Sequence, residues 1–169
     1  CMAQHTDGSI YTCGVDSIAG VNHIGTTVAK INKDGSLIWM KQYTEYIDHA
    51  PRVITVTSDH KIVVAGQAVI SGLFFTNIFV MTLNENGGFI KRKLFTTYYD
   101  DEITSICADQ SGNIALTGYS YFLNNGWDMF FLKLNGQLTV LQSKFYDGGS
   151  AQGEQARFIT SASNNTFAV

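Results

Sequence analysis

The sequence has few charged residues and no surplus of basic ones. Charged residues make up 15% of the 169, and 11 Lys and Arg against 14 Asp and Glu leave a net charge of −3. A protein that grips nucleic acid through phosphates needs a basic surface, so we expect no nucleic-acid partner. No apolar run approaches the ~20 residues of a membrane-spanning helix, so we expect no membrane span. The first residues, from Cys1 to His5, do not form a signal peptide.

A sustained helical period is also missing, whereas a repeat of 52 residues is present. Hydrophobic residues make up 45%, which excludes a disordered chain. Gly14, Gly66 and Gly118 each follow a short apolar run and are spaced 52 residues apart. A second block, Val28–Asn32, recurs at Val80–Asn84 and at Phe131–Asn135, where a slightly shortened copy runs into Gly136. The repeats are approximately 1–49, 50–101 and 102–153, and residues 154–169 start a further one.

Each repeat contains four apolar stretches of strand length. In the middle repeat they are Val53–Thr57, Lys61–Ala65, Asn77–Asn84 and Phe89–Phe95, rich in residues that favour strands. Dipeptides such as Asp7-Gly8 and Asn86-Gly87 separate them and tolerate the positive φ of hairpin turns. Four antiparallel strands in about 50 residues predict an all-β fold, a β-propeller of which about three four-stranded blades are visible.

Three blades are fewer than the four to eight or so that usually close a propeller. By the repeat, Cys1 aligns with Val53 and Phe167 aligns with Ile62, so the chain starts and stops inside predicted strands. We therefore expect an open arc that is a segment of a longer protein. Several copies completing a ring or a filament are the alternative.

Two segments carry a recognisable pattern. Asp34 to Tyr43 reads Gly-x-x-x-Trp-x-Lys-x-Tyr after its Asp, and Asp128 to Asn135 opens with Asp and has a Lys near its end. Both resemble the cell-surface β-propeller repeats of bacteria, archaea and some protists, and the resemblance covers essentially the whole chain. The chain departs from the family pattern at three positions. Gly25 and Asn77 stand where the family has the Asp, and Lys91 stands where the family has the Trp. The resemblance implies a β-propeller in a secreted or surface-exposed protein.

The connections between the second and third strands, and between one repeat and the next, are long and share one end of every blade. We call this end the long-loop rim and predict that it binds a glycan or protein partner, since loops on a rigid scaffold often carry binding residues. Aromatic rings beside amides and acids suit sugar stacking or a protein contact. The candidate residues are Tyr46, Asp48, His49, Phe74, Phe75, Tyr98, Asp100, Asp101, Tyr121, Asn124 and Trp127.

Patterns typical of catalytic and metal sites are missing. The four histidines lack a metal-binding spacing, and solvated side chains are expected for His5 and His60 in their turns. Asp100-Asp101-Glu102 offers hard oxygen ligands for Ca²⁺ but has no accompanying Asp-x-Asp-x-Asp-Gly pattern, so an acidic loop start is preferred. We therefore predict no catalytic residue, no metal site and no cofactor. The predicted innermost strands carry only one charged residue, Arg157, which argues against catalysis in these blades.

Three cysteines leave the redox state open. A two-residue turn at Asp7-Gly8 would place Cys1 opposite Gly14, so a disulfide from Cys1 to Cys13 would need a different turn. Cys107 falls on an ordinary strand position, where cysteine acts as a small hydrophobe. Asn164 begins a glycosylation sequon, which is meaningful only in a secreted eukaryotic protein.

The expected function is a non-catalytic extracellular or cell-surface β-propeller in adhesion, carbohydrate or protein binding, or assembly of a surface structure. Its partner would be a protein, a glycan or further copies of itself. Two alternatives stay open. One is a propeller enzyme, quinoprotein-like or polysaccharide-acting, whose active-site residues lie in other blades. The other is an intracellular kelch-like scaffold.

Overall fold

The described residues form three antiparallel four-stranded sheets and one two-stranded ribbon, with no helix among them. A computed structural model describes residues 1–17, 24–44, 48–69, 76–96, 100–122, 126–149, 153–162 and 166–169, without the side chain of Asp48. None of the sheets in these ranges closes on itself, and the described residues include no helix that could cross a membrane. The all-β prediction is therefore confirmed.

Within each sheet, the strands pair in the order in which they follow one another in the chain. Sheet 1 contains β1 (Met2–Gln4), β2 (Ile10–Ser17), β3 (Ile24–Ile31) and β4 (Leu37–Tyr43). Sheet 2 contains β5 (Asp48–Val56), β6 (Ile62–Val69), β7 (Thr76–Leu83) and β8 (Phe89–Phe95). Sheet 3 contains β9 (Asp101–Ala108), β10 (Ile114–Phe122), β11 (Gly126–Leu134) and β12 (Val140–Tyr146). The ribbon pairs β13 (Thr160–Ser161) with β14 (Phe167–Ala168).

Six tight turns share one geometry, a five-residue hairpin whose fourth residue has a positive φ. In the first, His5 N donates to Ser9 O at 2.8 Å, Gly8 N donates to His5 O at 3.0 Å, and Gly8 has φ 87°. A type I turn followed by a left-handed residue matches the twist of paired strands. In the turn after β11 the fourth residue is Leu138, with φ 58°, and Gly136 is the second residue of the turn. Leu138 is fully buried, so its packing offsets the cost of this backbone conformation.

Two of the repeated glycines, Gly66 and Gly118, mark a bulge in the first strand of their sheet. The register shifts between Pro51 and Val53 opposite Gly66, and between Thr117 and Gly118 opposite β9. A Cβ at Gly66 would overlap the carbonyl oxygen of Ala50, and one at Gly118 would overlap that of Glu102. Only glycine admits so close an approach of two backbones.

Several strands extend into segments predicted as loops. β5 starts at Asp48 and β9 at Asp101, whereas the apolar pattern begins only at Val53 and Thr104. Backbone pairing continues through polar residues and through Pro51, because the ladder depends on main-chain groups and the bulge accommodates the proline.

Sheet 2 is buried on both faces. Its alternate residues Ile62, Val64, Phe79 and Met81 pack with sheet 1, and Val63, Ala65, Ile78 and Val80 pack with sheet 3. This explains the continuous apolar runs of β6 and β7, because a strand covered on both sides needs no polar alternation. The fourth strands β4, β8 and β12 are mostly exposed or half-buried.

The first strand of each sheet contacts the preceding sheet. β5 lies against β1, β2 and β3, and β9 lies against β5, β6 and β7. Side chains from each fourth strand also bond to the next sheet's turn: Lys41 Nζ donates to Asn86 O at 2.7 Å, and Lys91 Nζ donates to Gln137 O at 2.9 Å. The three sheets are thus joined by equivalent contacts.

Candidate functional site

Five of the eleven predicted rim residues lie outside the described residues. This applies to Tyr46, Phe74, Phe75, Tyr98 and Asn124, and also to the sequon residue Asn164. Asp48 is the first residue of β5, and its side chain is not described. The remaining candidates are His49, Asp100, Asp101, Tyr121 and Trp127.

Two of the remaining candidates are buried in strands. His49 is 3% exposed, its Nε2 lies 2.6 Å from Arg92 Nη1, and its ring packs edge-on against Phe79 at 5.0 Å. Asp101 is 1% exposed, and its Oδ1 accepts a hydrogen bond from Ser120 Oγ at 2.5 Å. His49 and Asp101 are equivalent in the repeat, and both stabilise the start of a first strand.

The acidic run at the start of β9 is fully engaged within the fold. Asp100 Oδ1 accepts hydrogen bonds from the backbone nitrogen and hydroxyl of Thr76, at 2.8 and 3.1 Å. Glu102 lies opposite Tyr119 and bonds its hydroxyl. These contacts tie β9 to β7 and β10, so the three carboxylates point to different partners.

Three aromatic rings gather at the same end of sheet 3. Trp127 lies edge-on to Tyr119 at 5.0 Å and to Tyr121 at 5.2 Å between ring centroids. Tyr121 and Trp127 are cross-strand partners, so their side chains share one face of the sheet. Tyr121 is 36% exposed and Trp127 is half-buried. The structure thus brings two predicted residues together and adds Tyr119.

Charged residues also approach Tyr119. Burial raises the pKa of Tyr119, the Glu102 hydrogen bond and charge raise it further, and Arg157 and Arg52 act in the opposite direction. Arg52 Nε donates to Gln67 Oε1 at 2.9 Å, which holds the guanidinium group beside β6. The expectation that Arg157 is the only charged residue on the first strands, which were predicted to be innermost, is wrong. β5 and β9 start early enough to include Arg52 and Glu102. Arg157 itself precedes β13.

Three further carboxylates converge beside this aromatic group. One oxygen each of Asp128, Asp147 and Glu154 lies within 4.8 Å of the others. Burial raises the pKa of Asp128, and the charges of Asp147 and Glu154 raise it further. Sequence reasoning missed this cluster because the backbone hydrogen bond from Glu154 to Trp127, which places Glu154 there, follows no spacing rule.

The histidines of two turns meet. His5 is buried, contrary to the expectation of a solvated side chain, whereas His60 is exposed as expected. His5 Nε2 lies 2.8 Å from His60 Nδ1, and His5 Nδ1 lies 3.0 Å from Asp7 Oδ1. His5 is 8% exposed. The contact joins sheet 1 to sheet 2, and the shared position of the two turns in the repeat is the only sequence signal for it.

Cys1 and Cys13 form a disulfide. The five-residue turn pairs Met2 with Thr12, and this register places Cys1 opposite Cys13. The turn is therefore not the two-residue turn that would have placed Cys1 opposite Gly14, and the open question of a Cys1–Cys13 disulfide is answered by the register. Cys107 is a free, half-buried thiol.

Comparisons with known proteins add no family assignment. No protein-family model matches the chain, and no curated protein matches it.

Proposed function

We propose that the three sheets are consecutive blades of a β-propeller and that the chain is a non-catalytic, extracellular or cell-surface binding scaffold. The blade interpretation is supported by the 52-residue period, the neighbour-only strand order and the contacts of each first strand with the sheet before it. Propeller blades are four-stranded antiparallel sheets arranged radially, with the first strand innermost.

The disulfide supports the proposed location. Disulfides persist in oxidising compartments and are rare in the cytosol of mesophiles. Cys1 and Cys13 lie on paired strands, in a register that the turn geometry fixes. The intracellular kelch-like scaffold is the less favoured alternative for this reason.

The observation that carries the binding function is the aromatic group of Tyr119, Tyr121 and Trp127. Rings at the end of a rigid sheet lose little conformational freedom on binding, and they offer apolar faces beside polar groups. Asp100 contributes to the rigidity of this end, because its carbonyl accepts a hydrogen bond from Tyr121 N at 2.9 Å. Stacking on a sugar ring is the contact that this arrangement suits best, and a protein surface is the other partner.

A glycan-array screen followed by titration tests the binding proposal. We expect a glycan ligand whose affinity falls about tenfold in Tyr121→Ala and in Trp127→Ala, because each lost ring contact is worth about 1.4 kcal/mol. Phe89→Ala is the matched control, since Phe89 is 52% exposed on β8 and lies outside the group. Equal losses in Phe89→Ala, or unchanged affinity in both site variants, would exclude this surface.

A second candidate, a propeller enzyme, is favoured by the charged residues around Tyr119. Glu102, Arg52 and Arg157 all act on its hydroxyl. A tyrosine, a carboxylate and cations near an inner strand are groups that polysaccharide chemistry can use. Hydrolysis of a polysaccharide by the wild type, lost in Glu102→Gln, would establish this function and displace the non-catalytic one.

A further inference from the structure

The carboxylate cluster of sheet 3 is built by strand register and by a backbone hydrogen bond from Glu154 to β11. Asp128 lies near the start of β11, and Asp147 directly follows β12. Because Met129 pairs with Tyr146, the same register places Asp128 opposite Asp147. The position of Glu154 is fixed by a backbone hydrogen bond, in which Glu154 N donates to Trp127 O at 2.6 Å. Three negative side chains from separate segments therefore meet, with one oxygen of each within 4.8 Å of the others.

One of the three carboxylates is buried without a hydrogen bond at one of its oxygens. Asp128 is 4% exposed, and its Oδ1 accepts no hydrogen bond from any residue in the described ranges. A buried carboxylate oxygen is costly unless a donor or a cation satisfies it. Two further carboxylates at short range increase that cost, because like charges repel more strongly away from water. A bound cation would satisfy the Asp128 oxygen, which has no hydrogen-bond donor among the described residues.

The position of Glu154 beside β11 depends on the glycine that precedes it. Gly153 has φ 76°, and a Cβ on it would lie 2.8 Å from Trp127 Cβ. The backbone can follow this path against β11 only without a side chain at that position.

The cluster is particular to sheet 3. Ala68 and Ser120 are separated by 52 residues, and they pair with Asn77 and Asp128 respectively. Asn77 thus stands in sheet 2 where Asp128 stands in sheet 3, and it is neutral. The four-stranded sheet therefore forms without a carboxylate at this position, so the fold alone does not require the Asp128 carboxylate.

We propose that Asp128, Asp147 and Glu154 bind a calcium ion, a proposal that does not depend on the proposed glycan or protein binding. Ca²⁺ takes oxygen ligands at ~2.4 Å in a flexible geometry, so two of its ligands are at most ~4.8 Å apart. The cluster meets this limit as it stands. The cluster offers only oxygen ligands, which suit Ca²⁺ better than zinc. One ligand lies on a strand and the others lie in a glycine-rich connection, and such a mixed site suits the flexible coordination of Ca²⁺ better than the strict octahedral coordination of Mg²⁺.

Terbium luminescence tests the site on the whole chain, because Tb³⁺ replaces Ca²⁺ at oxygen sites and is sensitised by a nearby indole. Trp127 is the residue before Asp128 and is the expected sensitiser. We expect saturable emission on excitation of tryptophan, displaced by CaCl₂ at about 5 mM and only weakly by MgCl₂. Asp128→Asn should lower the affinity for Tb³⁺ at least about tenfold, since it removes a charged ligand at constant size.

The matched control is Asp34→Asn, which makes the same charge change at an exposed turn of sheet 1 and should leave the titration unchanged. If Asp128→Asn does not fold, Glu154→Gln replaces it, with the same loss expected. Calcium should also raise the melting temperature of the wild type by about 3 °C or more, because a ligand of the folded state stabilises it. Emission that does not saturate, equal loss in Asp34→Asn, or no thermal shift with Ca²⁺ would overturn the proposal.

Discussion

Gly118 lies so close to the carbonyl oxygen of Glu102 that no side chain fits between the two strands. Gly118→Ala must therefore move β9 away from β10 or lose the bulge. We expect it to lower the free energy of unfolding by at least about 2 kcal/mol, in the range of changes that force a backbone shift in a packed region. Urea denaturation followed by circular dichroism measures this.

Gly14→Ala is the matched control for that substitution. Gly14 occupies the same position of the repeat, but it has open space where a Cβ would be placed. The change should alter stability by no more than about 1 kcal/mol, since alanine restricts the unfolded chain and meets no clash. Equal destabilisation by both substitutions would contradict the bulge interpretation.

The disulfide should be present and stabilising in protein made under oxidising conditions. Thiol titration in denaturant without reductant should detect one thiol, that of Cys107, among the three cysteines. Cys13→Ala should lower the free energy of unfolding by about 2–3 kcal/mol, because the link closes a short loop in the unfolded chain. Two additional titratable thiols in the wild type would show that the pair is reduced.

The Cys107 thiol should react slowly. Burial and, to a smaller extent, the nearby charge of Asp109 together raise the pKa of Cys107 to about 11. Only the thiolate is nucleophilic, so alkylation by iodoacetamide at pH 8 should be about 100-fold slower than for an exposed thiol. The rate should still be rising with pH above pH 10. A plateau below pH 9 would contradict the raised pKa.

Stability should fall at alkaline pH partly through Tyr43. Burial raises the pKa of Tyr43 to about 12, from 10.0, and its hydroxyl donates to Gly87 O at 2.7 Å. Because the folded state holds the proton more tightly, the stabilisation is complete below pH 10 and is lost as the pH rises from 10 to 12. Tyr43→Phe should flatten the decline in melting temperature over that interval. An identical decline in Tyr43→Phe would assign the effect to other groups.

The backbone plan of the fold could be predicted from the sequence, because it rests on local signals. The period of Gly66 and Gly118 and the turn dipeptides correctly indicated four antiparallel strands in each repeat. The strand starts at Asp48 and Asp101 could not be predicted, because main-chain pairing there continues through side chains that do not favour strands. The turn length at Gly8 could not be fixed from the sequence, and a one-residue difference there decides whether Cys1 meets Cys13.

The candidate site was less predictable, since its parts meet only through tertiary contacts. Tyr121 and Trp127 were expected on one rim, and their pairing across β10 and β11 brings them together. His49 was expected on the same rim but is buried, because its strand begins before the apolar pattern. Glu154 had no local signal, since its place depends on a hydrogen bond to Trp127 O.

The neighbour-only strand order has a consequence for how the chain folds. All pairings within the sheets join consecutive strands, so each sheet forms by closing short hairpins, which costs little chain entropy. Sheet 2 buries residues such as Val63 and Phe79 on opposite faces, and each face needs a different neighbour. Folding should therefore propagate from one sheet to the next, as in repeat proteins. Hydrogen exchange would then show slower opening for β6 and β7 than for any strand of sheet 1.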